Sequence, residues 1–452
     1  MSSQTNTLTE GPLAKQIFLV SLPLALSNLL QVLFNMSDVA VVGRFAGSTA
    51  LGAVGSTSTL VTLFTGFLIG LSNGINVLVA RFYGARHPKD VEKTVHSAAI
   101  ISAVAGVALL LIGLLASPAM LRLLNTKEDL LPGAILYLRV YFLGMPALAL
   151  YNFGNAVFSS IGDTKKPLLY LSIAGALNIA LNLFFVIVCR LDVAGVAMAT
   201  SISQYVSAWL ILRCLMREHG ALHLNLHRMH LNKRVIGRIF QVGLPAGFQG
   251  VIFSLSNVVI QSAINSFGST VVAGSSASSN LEGFVYTAMN AFAQAAVTFT
   301  SQNMGACKYH NLDRVMRNCL LCAVVTGILL GGGAALAGRQ LLHFYSSDEA
   351  VIAAGYERLW IICGTYLLCG IMDTLASSLR GLGYSVLPMV VSLVGSCLLR
   401  LVWIATIFQL NRTPFMLYIS YPISWVLTAA VHLACLLVVR HKMKNKLKLS
   451  ID

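Results

Sequence analysis

Twelve apolar runs of 21 to 30 residues fill most of this chain, at 17–42, 51–80, 93–116, 133–160, 168–189, 193–213, 238–265, 276–304, 315–338, 351–379, 388–409 and 414–439. At helical rise each measures about 32–45 Å, enough to cross a hydrocarbon core about 30 Å thick. Inside that core every backbone amide and carbonyl must be paired within the protein, which leaves helices or a closed barrel. Barrel strands are about 10 residues long and alternate in polarity, so runs of this length predict membrane helices. Charge content agrees, at 10% of residues against about 25% in soluble domains. The predicted fold class is an all-α integral membrane protein of twelve transmembrane helices. Residues 1–11 lack the basic-then-apolar order of a cleaved signal, so the first helix is expected to stay in the mature chain.

The longest polar interruption, Arg213 to Arg238, carries Arg217, Arg228, Lys233, Arg234 and four histidines. It divides the chain into an amino-terminal tail (1–16), a first lobe of six helices (17–213), a basic linker (214–237), a second lobe of six (238–439) and a basic tail (440–452). The lobes repeat each other at an offset of 221 or 222 residues. Leu22-Pro23 matches Leu244-Pro245, Asn35 matches Asn257, Tyr83-Gly84-Ala85 matches Met304-Gly305-Ala306, and Gly162 with Pro167 matches Gly383 with Pro388. An internal repeat of this kind is a transporter signature, and an even helix number makes it a parallel repeat about the membrane normal. Alternate connections hold 22 lysines and arginines on one side and six on the other. That excess predicts both termini in the cytoplasm, with the chain in the plasma membrane. The net charge of +15 is this same bias rather than a nucleic-acid surface.

Asn28, Gln31, Asn35 and Asp38 recur at spacings of three, four and three in the first run, one polar stripe of a helix. Holding a carboxylate in lipid costs about 2.5–3.5 kcal/mol or more, so Asp38 must face protein or a wet cavity. There it is either a packing residue satisfied by amides or an ion or proton site. The fifth run offers Asn178 and Asn182 one turn apart, and the sixth Thr200 and Gln204 on one face. A carboxylate among amide and hydroxyl oxygens can hold a proton or a hard monovalent cation, so Asp38, Asn178, Asn182 and Thr200 form a candidate H+ or Na+ site, with Asn35 beside it.

The second lobe differs. Ile260 stands opposite Asp38 in the repeat, and the intramembrane acids are Glu282 and Asp373. Asp373 is the counterpart of Asn152. Arg400 falls near the counterpart of Asn178 and is expected to pair with Asp373, because an unpaired arginine there is costly. Asn290, Gln294 and Thr298 follow Glu282 at helical spacing. Tyr141, Met145 and Tyr151 lie near the first stripe, and Tyr286, Met289 and Phe292 near the second. Aromatic and methionine surfaces suit flat cationic or amphipathic molecules, as well as ordinary packing. With Gln31, Asn152 and Asn257 they make the candidate substrate surface. Pro23 and Pro245, matched in the repeat, each remove an amide donor and give static curvature or a hinge. Gly66, Gly70 and Gly74 predict close helix packing. Cys319-Leu-Leu-Cys322 has no second pair and reads as helix packing. Motifs of metalloproteases, serine hydrolases and phosphate loops do not occur, so neither an enzyme nor an ATP-driven pump is expected.

Pro23 ahead of Asp38-Val-Ala-Val-Val-Gly43, the run Gly195 to Gln204, and Glu282-Gly283-Phe284 leading to Gln302-Asn303-Met304-Gly305 share one chain with two sets of six spans. Together they resemble the MATE family of multidrug and toxic compound extrusion transporters, over nearly the whole chain. The resemblance implies two six-helix lobes in a V around a central cavity. It also implies alternating access driven by a proton or sodium gradient, with no cofactor beyond the coupling ion. The family's amino-lobe cation site is matched by Asp38, Asn178 and Thr200. Asn182 stands where many members carry a second carboxylate, which lowers the charge of the site and favours a proton over sodium. Asp373 matches the acid of helix 10, and the helix-7 acid of some members is missing. The expected function is a monomeric antiporter exporting amphipathic or cationic organic compounds, in contact with membrane lipid and with neither ATP nor nucleic acid as partner. The alternative is a lipid-linked oligosaccharide flippase of the same superfamily. That function would want a strongly cationic cavity, for which Arg400 is thin support.

Overall fold

The computed structural model describes residues 8–448; residues 1–7 and 449–452, the outer parts of the two predicted tails, lie outside the described residues. Each predicted run falls on one helix to within two residues. In chain order the helices are α1 (Leu13–Phe45), α2 (Ser48–Gly84), α3 (Pro88–Leu123), α4 (the pair Leu131–Phe142 and Met145–Ser160), α5 (Lys165–Val188), α6 (Asp192–Arg217), α7 (Lys233–Asn265), α8 (Ser269–Gly305), α9 (Tyr309–Leu336), α10 (the pair Glu349–Gly364 and Tyr366–Gly381), α11 (Val386–Leu410) and α12 (Pro414–Asn445). Among the described residues nine are long and apolar enough to cross a membrane alone, while α4 and α10 qualify as pairs bent by 46° and 44°. The 37-residue α8 has the length, but its serines, asparagines and glutamines dilute its apolar content.

The bends have local causes. Pro146 lies at the second position of the outgoing half of α4 and supplies no amide to the turn before it. In α10 the Thr365 hydroxyl donates to Ile361 O at 2.6 Å, competing with the backbone at the break. Large apolar side chains such as Leu115 (81% exposed) and Leu329 (67%) stand on outer faces, as they do where the surrounding solvent is lipid.

The chain forms two compact units, one from Leu26–Val251 and the other from Leu8–Ala25 with the chain from Ile252 onward. The divisions fall inside α1 and α7, shortly after Pro23 and Pro245, so each of these helices begins in one unit and ends in the other. In the first unit the opening half of α7 lies against α2 backbone to backbone. A Cβ on Gly70 would overlap the Gly247 backbone, and one on Gly243 would sit 2.8 Å from Leu71 O. The glycine stripe read from the sequence is therefore a close-approach surface, met by a second stripe on α7. In the second unit the opening half of α1 buries Ile17, Val20 and Leu24 against Ala291, Ala295, Ala296 and Phe299 of α8.

Candidate ion-coupling site and the polar interior

In the first unit α1, α5 and α6 bring four polar side chains into a closed ring. Asn182 Nδ2 donates to Asp38 Oδ1 and also to Asn178 Oδ1 at 3.2 Å. Asn178 Nδ2 donates to Thr200 Oγ1 at 3.3 Å, and the Thr200 hydroxyl donates to Asp38 Oδ2 at 3.2 Å. Helical spacing explains the ring: Asn178 and Asn182 are i and i+4 on α5, immediately before the π-helical turn Phe184–Val188. Asp38, Asn178 and Asn182 are 7%, 5% and 0% exposed, so the carboxylate is held by protein donors rather than by bulk water. One polar atom stays orphaned, since Asn182 Oδ1 is buried with no hydrogen-bond partner. Tyr137 and Tyr141 of α4 stack at 6.0 Å and lie within electrostatic reach of Asp38. Sequence reasoning missed Tyr137.

Asn35 and Gln31 do not join the ring. Both are exposed, whereas the Asp38 oxygens accept from Asn182 and Thr200.

In the second unit the acids find partners the sequence did not indicate. Glu282 and Arg358 form a buried bidentate pair, Nε to Oε1 at 2.8 Å and Nη2 to Oε2 at 2.9 Å. Ser275 and Ser279 accept from the same guanidinium at 2.7 and 3.1 Å. Ser278 donates to Glu282 at 3.0 Å, and the Tyr418 ring lies 5.6 Å from the Arg358 guanidinium. The expected pair of Asp373 with Arg400 is not formed. Arg400 donates instead to Ser424 Oγ at 2.9 Å and lies over Tyr421 at 4.2 Å, with Trp425 at 5.8 Å. A planar, weakly hydrated guanidinium can be satisfied by aromatic faces, and that option competed with the carboxylate. Asp373 lies within electrostatic reach of Arg380, on its own helix, and beside the Tyr286 hydroxyl. From there hydrogen bonds run along α8, Asn290 to Tyr286 at 3.0 Å and Gln294 to Asn290 at 3.1 Å. Tyr366 and Trp425 stack at 5.4 Å, and Tyr421 meets Trp425 edge-on at 5.9 Å.

Several residues expected on a substrate surface are packed away. Met145 and Met289 lie in closed cores, as do Tyr141 and Phe292. Tyr151 is spent on a hydrogen bond to Pro167 O at 2.9 Å. Their helical faces point between helices, which composition does not reveal. Asn152 is buried with Nδ2 unpartnered, whereas Asn257 is exposed and Tyr286 and Asn290 are partly so. Pro23 is buried within an unbroken α1, and Pro245 lies inside α7. Among the described residues no three histidine, cysteine, aspartate or glutamate side chains gather as a metal site.

Comparison with known proteins places this geometry. The chain is 28% identical over 392 residues to the "Probable multidrug resistance protein YpnP" of Bacillus subtilis (strain 168), covering 87% of this chain and 88% of that one. It is 27% identical over 385 residues to the "Probable multidrug resistance protein YoeA" of the same organism, covering 83% and 82%. Among solved structures, that of a MATE in complex with MaL6 matches with a TM-score of 0.91 at 21% identity, over 98% of this chain and 100% of that one. The MatE family profile matches twice, at residues 23–184 and 245–406, in the register of the internal repeat. This twelve-helix, two-lobe membrane protein therefore belongs to the MatE family, whose members are transporters rather than enzymes.

Proposed function

We propose that this protein is a secondary active antiporter that exports amphipathic or cationic organic compounds in exchange for protons, by alternating access across the plasma membrane, with both termini in the cytoplasm. The Asp38 ring carries the coupling assignment. Its donors converge on both carboxylate oxygens, which supports the ionised form in a site where burial opposes it. Asn182 is a neutral amide, so the ring carries one negative charge, which favours a proton over sodium; it turns an N–H toward Asp38 and leaves its own Oδ1 without a partner. A proton on Asp38 supplies that partner, because half a turn of the Asn182 amide presents Oδ1 to the new O–H. Loss of the charge removes the reason for Thr200 to donate toward α1 and frees the helix to bend near Pro23. Coupling then needs substrate and proton to favour different states, since a ligand shifts an equilibrium only by its differential affinity.

The substrate class rests on the relatives named as multidrug resistance proteins, with half-buried Tyr286 and Asn290 and exposed Gln31 and Asn257 as the candidate contacts not spent on packing. The flippase reading loses its one support, because Arg400 is occupied by Ser424 and two rings. The test is dye efflux in everted vesicles under an imposed pH gradient and, separately, an imposed sodium gradient. Efflux with the pH gradient alone is expected. Efflux with sodium alone would overturn the proton assignment, and movement that never exceeds equilibrium under either gradient would overturn antiport.

A further inference from the structure

Matched corners of the two units are closed in different ways. In the first unit the segment ahead of α7 lies on the opening of α3. His96 Nε2 accepts the Asn225 backbone N–H at 3.1 Å, while its Nδ1 faces Glu92 O at 2.8 Å. Ser97 Oγ accepts the Asn232 N–H at 3.1 Å. Both side chains are buried, and the polypeptide itself fills the corner.

At the 221-residue offset of the repeat these two positions are Arg317 and Asn318, on α9. The segment ahead of α1 is anchored elsewhere. Leu8 N–H donates to Gln302 Oε1 at 3.0 Å, Asn303 Nδ2 to Leu8 O at 3.2 Å, and Asn311 Nδ2 to Thr9 O at 3.1 Å. The corner is left as a cavity of about 550 Å³ between residues 9–14 and α9, lined by His310, Arg314, Arg317 and Asn318 on the helix side. That size holds a small polar group with room to spare.

Its charge is unbalanced. Arg314 and Arg317 stand one turn apart on the same face, both exposed. Neither has a carboxylate partner among the described residues. The nearby Asp313 is taken by Arg440 at 2.9 Å, and Glu10, the acid in the lining, is held by Lys308 at 2.7 Å. The depth also fits a lipid headgroup. The 28 residues of α9 measure about 42 Å, roughly 12 Å more than the hydrocarbon core, and Arg317 lies about 12 Å along from Tyr309. Pro12, Leu13 and Ala14 add an apolar wall.

We propose that this corner binds the phosphate of an anionic phospholipid headgroup, with Arg314 and Arg317 as its cations. Two guanidiniums on one helix face can share the phosphate oxygens in forked hydrogen bonds, and the apolar wall takes the glycerol. The first unit needs no such ligand, because its own chain supplies the contact.

Native mass spectrometry of the purified protein, equilibrated in nanodiscs of phosphatidylcholine with phosphatidylglycerol, counts retained lipid. Phosphatidylglycerol should be retained over phosphatidylcholine. R314Q/R317Q should weaken that retention about 25-fold at low salt, each surface charge being worth about fivefold. The control K89Q/K93Q, on the opening of α3 in the first unit, where Lys93 matches Arg314 and Lys89 matches His310, should leave retention unchanged. R314K/R317K keeps the charge without the fork and should retain an intermediate amount, which decides the matter should the glutamine variant be unstable. Equal retention in wild type and both arginine variants would overturn the site, as would an equal loss in the control. Displacement of the lipid by millimolar inorganic phosphate would assign the subsite to a soluble anion and overturn the lipid source.

Discussion

Breaking the Glu282–Arg358 pair tests how the second unit tolerates charge in its interior. Glu282→Gln keeps the shape of the side chain and removes its charge. The amide oxygen of the new Gln can still accept one N–H, so Arg358 would keep Ser275, Ser279 and one of its two bonds at 2.8 and 2.9 Å, and lose the other together with the partner charge. The lost bond alone is worth about 1.5–3 kcal/mol. An independent estimate for removing one partner of a buried pair is about 3–5 kcal/mol. Roughly 220 residues make up the second unit. With an unfolding entropy of about 2.1 cal/mol/K per residue, a loss of about 4 kcal/mol lowers its midpoint by about 9 °C. Arg358→Met should cost a similar amount, because it strands the carboxylate with Ser278 alone. The double variant Glu282→Gln with Arg358→Met removes both charges and should recover most of the midpoint, since an uncharged pair of similar volume is often neutral in such a site. The assay is size-exclusion chromatography of detergent-solubilised protein after a temperature ramp, on the wild type and all three variants. Single variants within 2 °C of wild type, or a double variant no better than the worse single, would refute the reasoning.

Asp38→Asn should express and insert normally, bind substrate, and show no gradient-driven efflux when binding and transport are measured on one reconstituted sample; wild-type transport would return Asp38 to a packing role. Gly70→Leu places a side chain where Gly247 backbone lies and should abolish recovery of monodisperse protein, while Gly55→Leu, with no neighbour within 4 Å of an added Cβ, should be tolerated in the same chromatographic assay. Arg400→Lys loses the planar stack on Tyr421 and should lower the unfolding midpoint, and this loss should add to that of Asp373→Asn, which removes the charge within reach of Arg380; a strongly non-additive double variant would restore the Asp373–Arg400 pair. For topology, cysteines at the exposed positions Leu226 and Asn445 should label from the cytoplasm, and one at Lys127 from outside.

The sequence revealed what depends on one helix at a time. Span positions follow from length and polarity, because lipid leaves the backbone no other choice. The Asp38 ring was legible because acids inside spans are few and Asn178 and Asn182 share a face at i and i+4. Apart from that ring, which joins α1, α5 and α6, what depends on two helices meeting was hidden. Arg358 was visible as an intramembrane cation, but its partner is set by how α10 crosses α8, and Arg400 was assigned to the acid that its neighbouring rings displaced. Burial of Met145, Tyr151 and Met289 was unreadable for the same reason, since a membrane helix is apolar on faces that meet protein and on faces that meet lipid. The division of α1 and α7 between two units left no mark on composition at all.

That division bears on the order in which the protein is made. Leu8 and its partner Gln302 are 294 residues apart, so at about 5–20 residues per second the opening of α1 precedes its anchor by roughly 15–60 s of synthesis. During that interval the face of Ile17, Val20 and Leu24 has no α8 to cover it. α1 is apolar enough to enter the membrane alone and wait. α8 is not, and when it emerges its alanine face meets a surface already in place. The helix least suited to lone insertion is thus the one for which the chain has laid down a partner in advance.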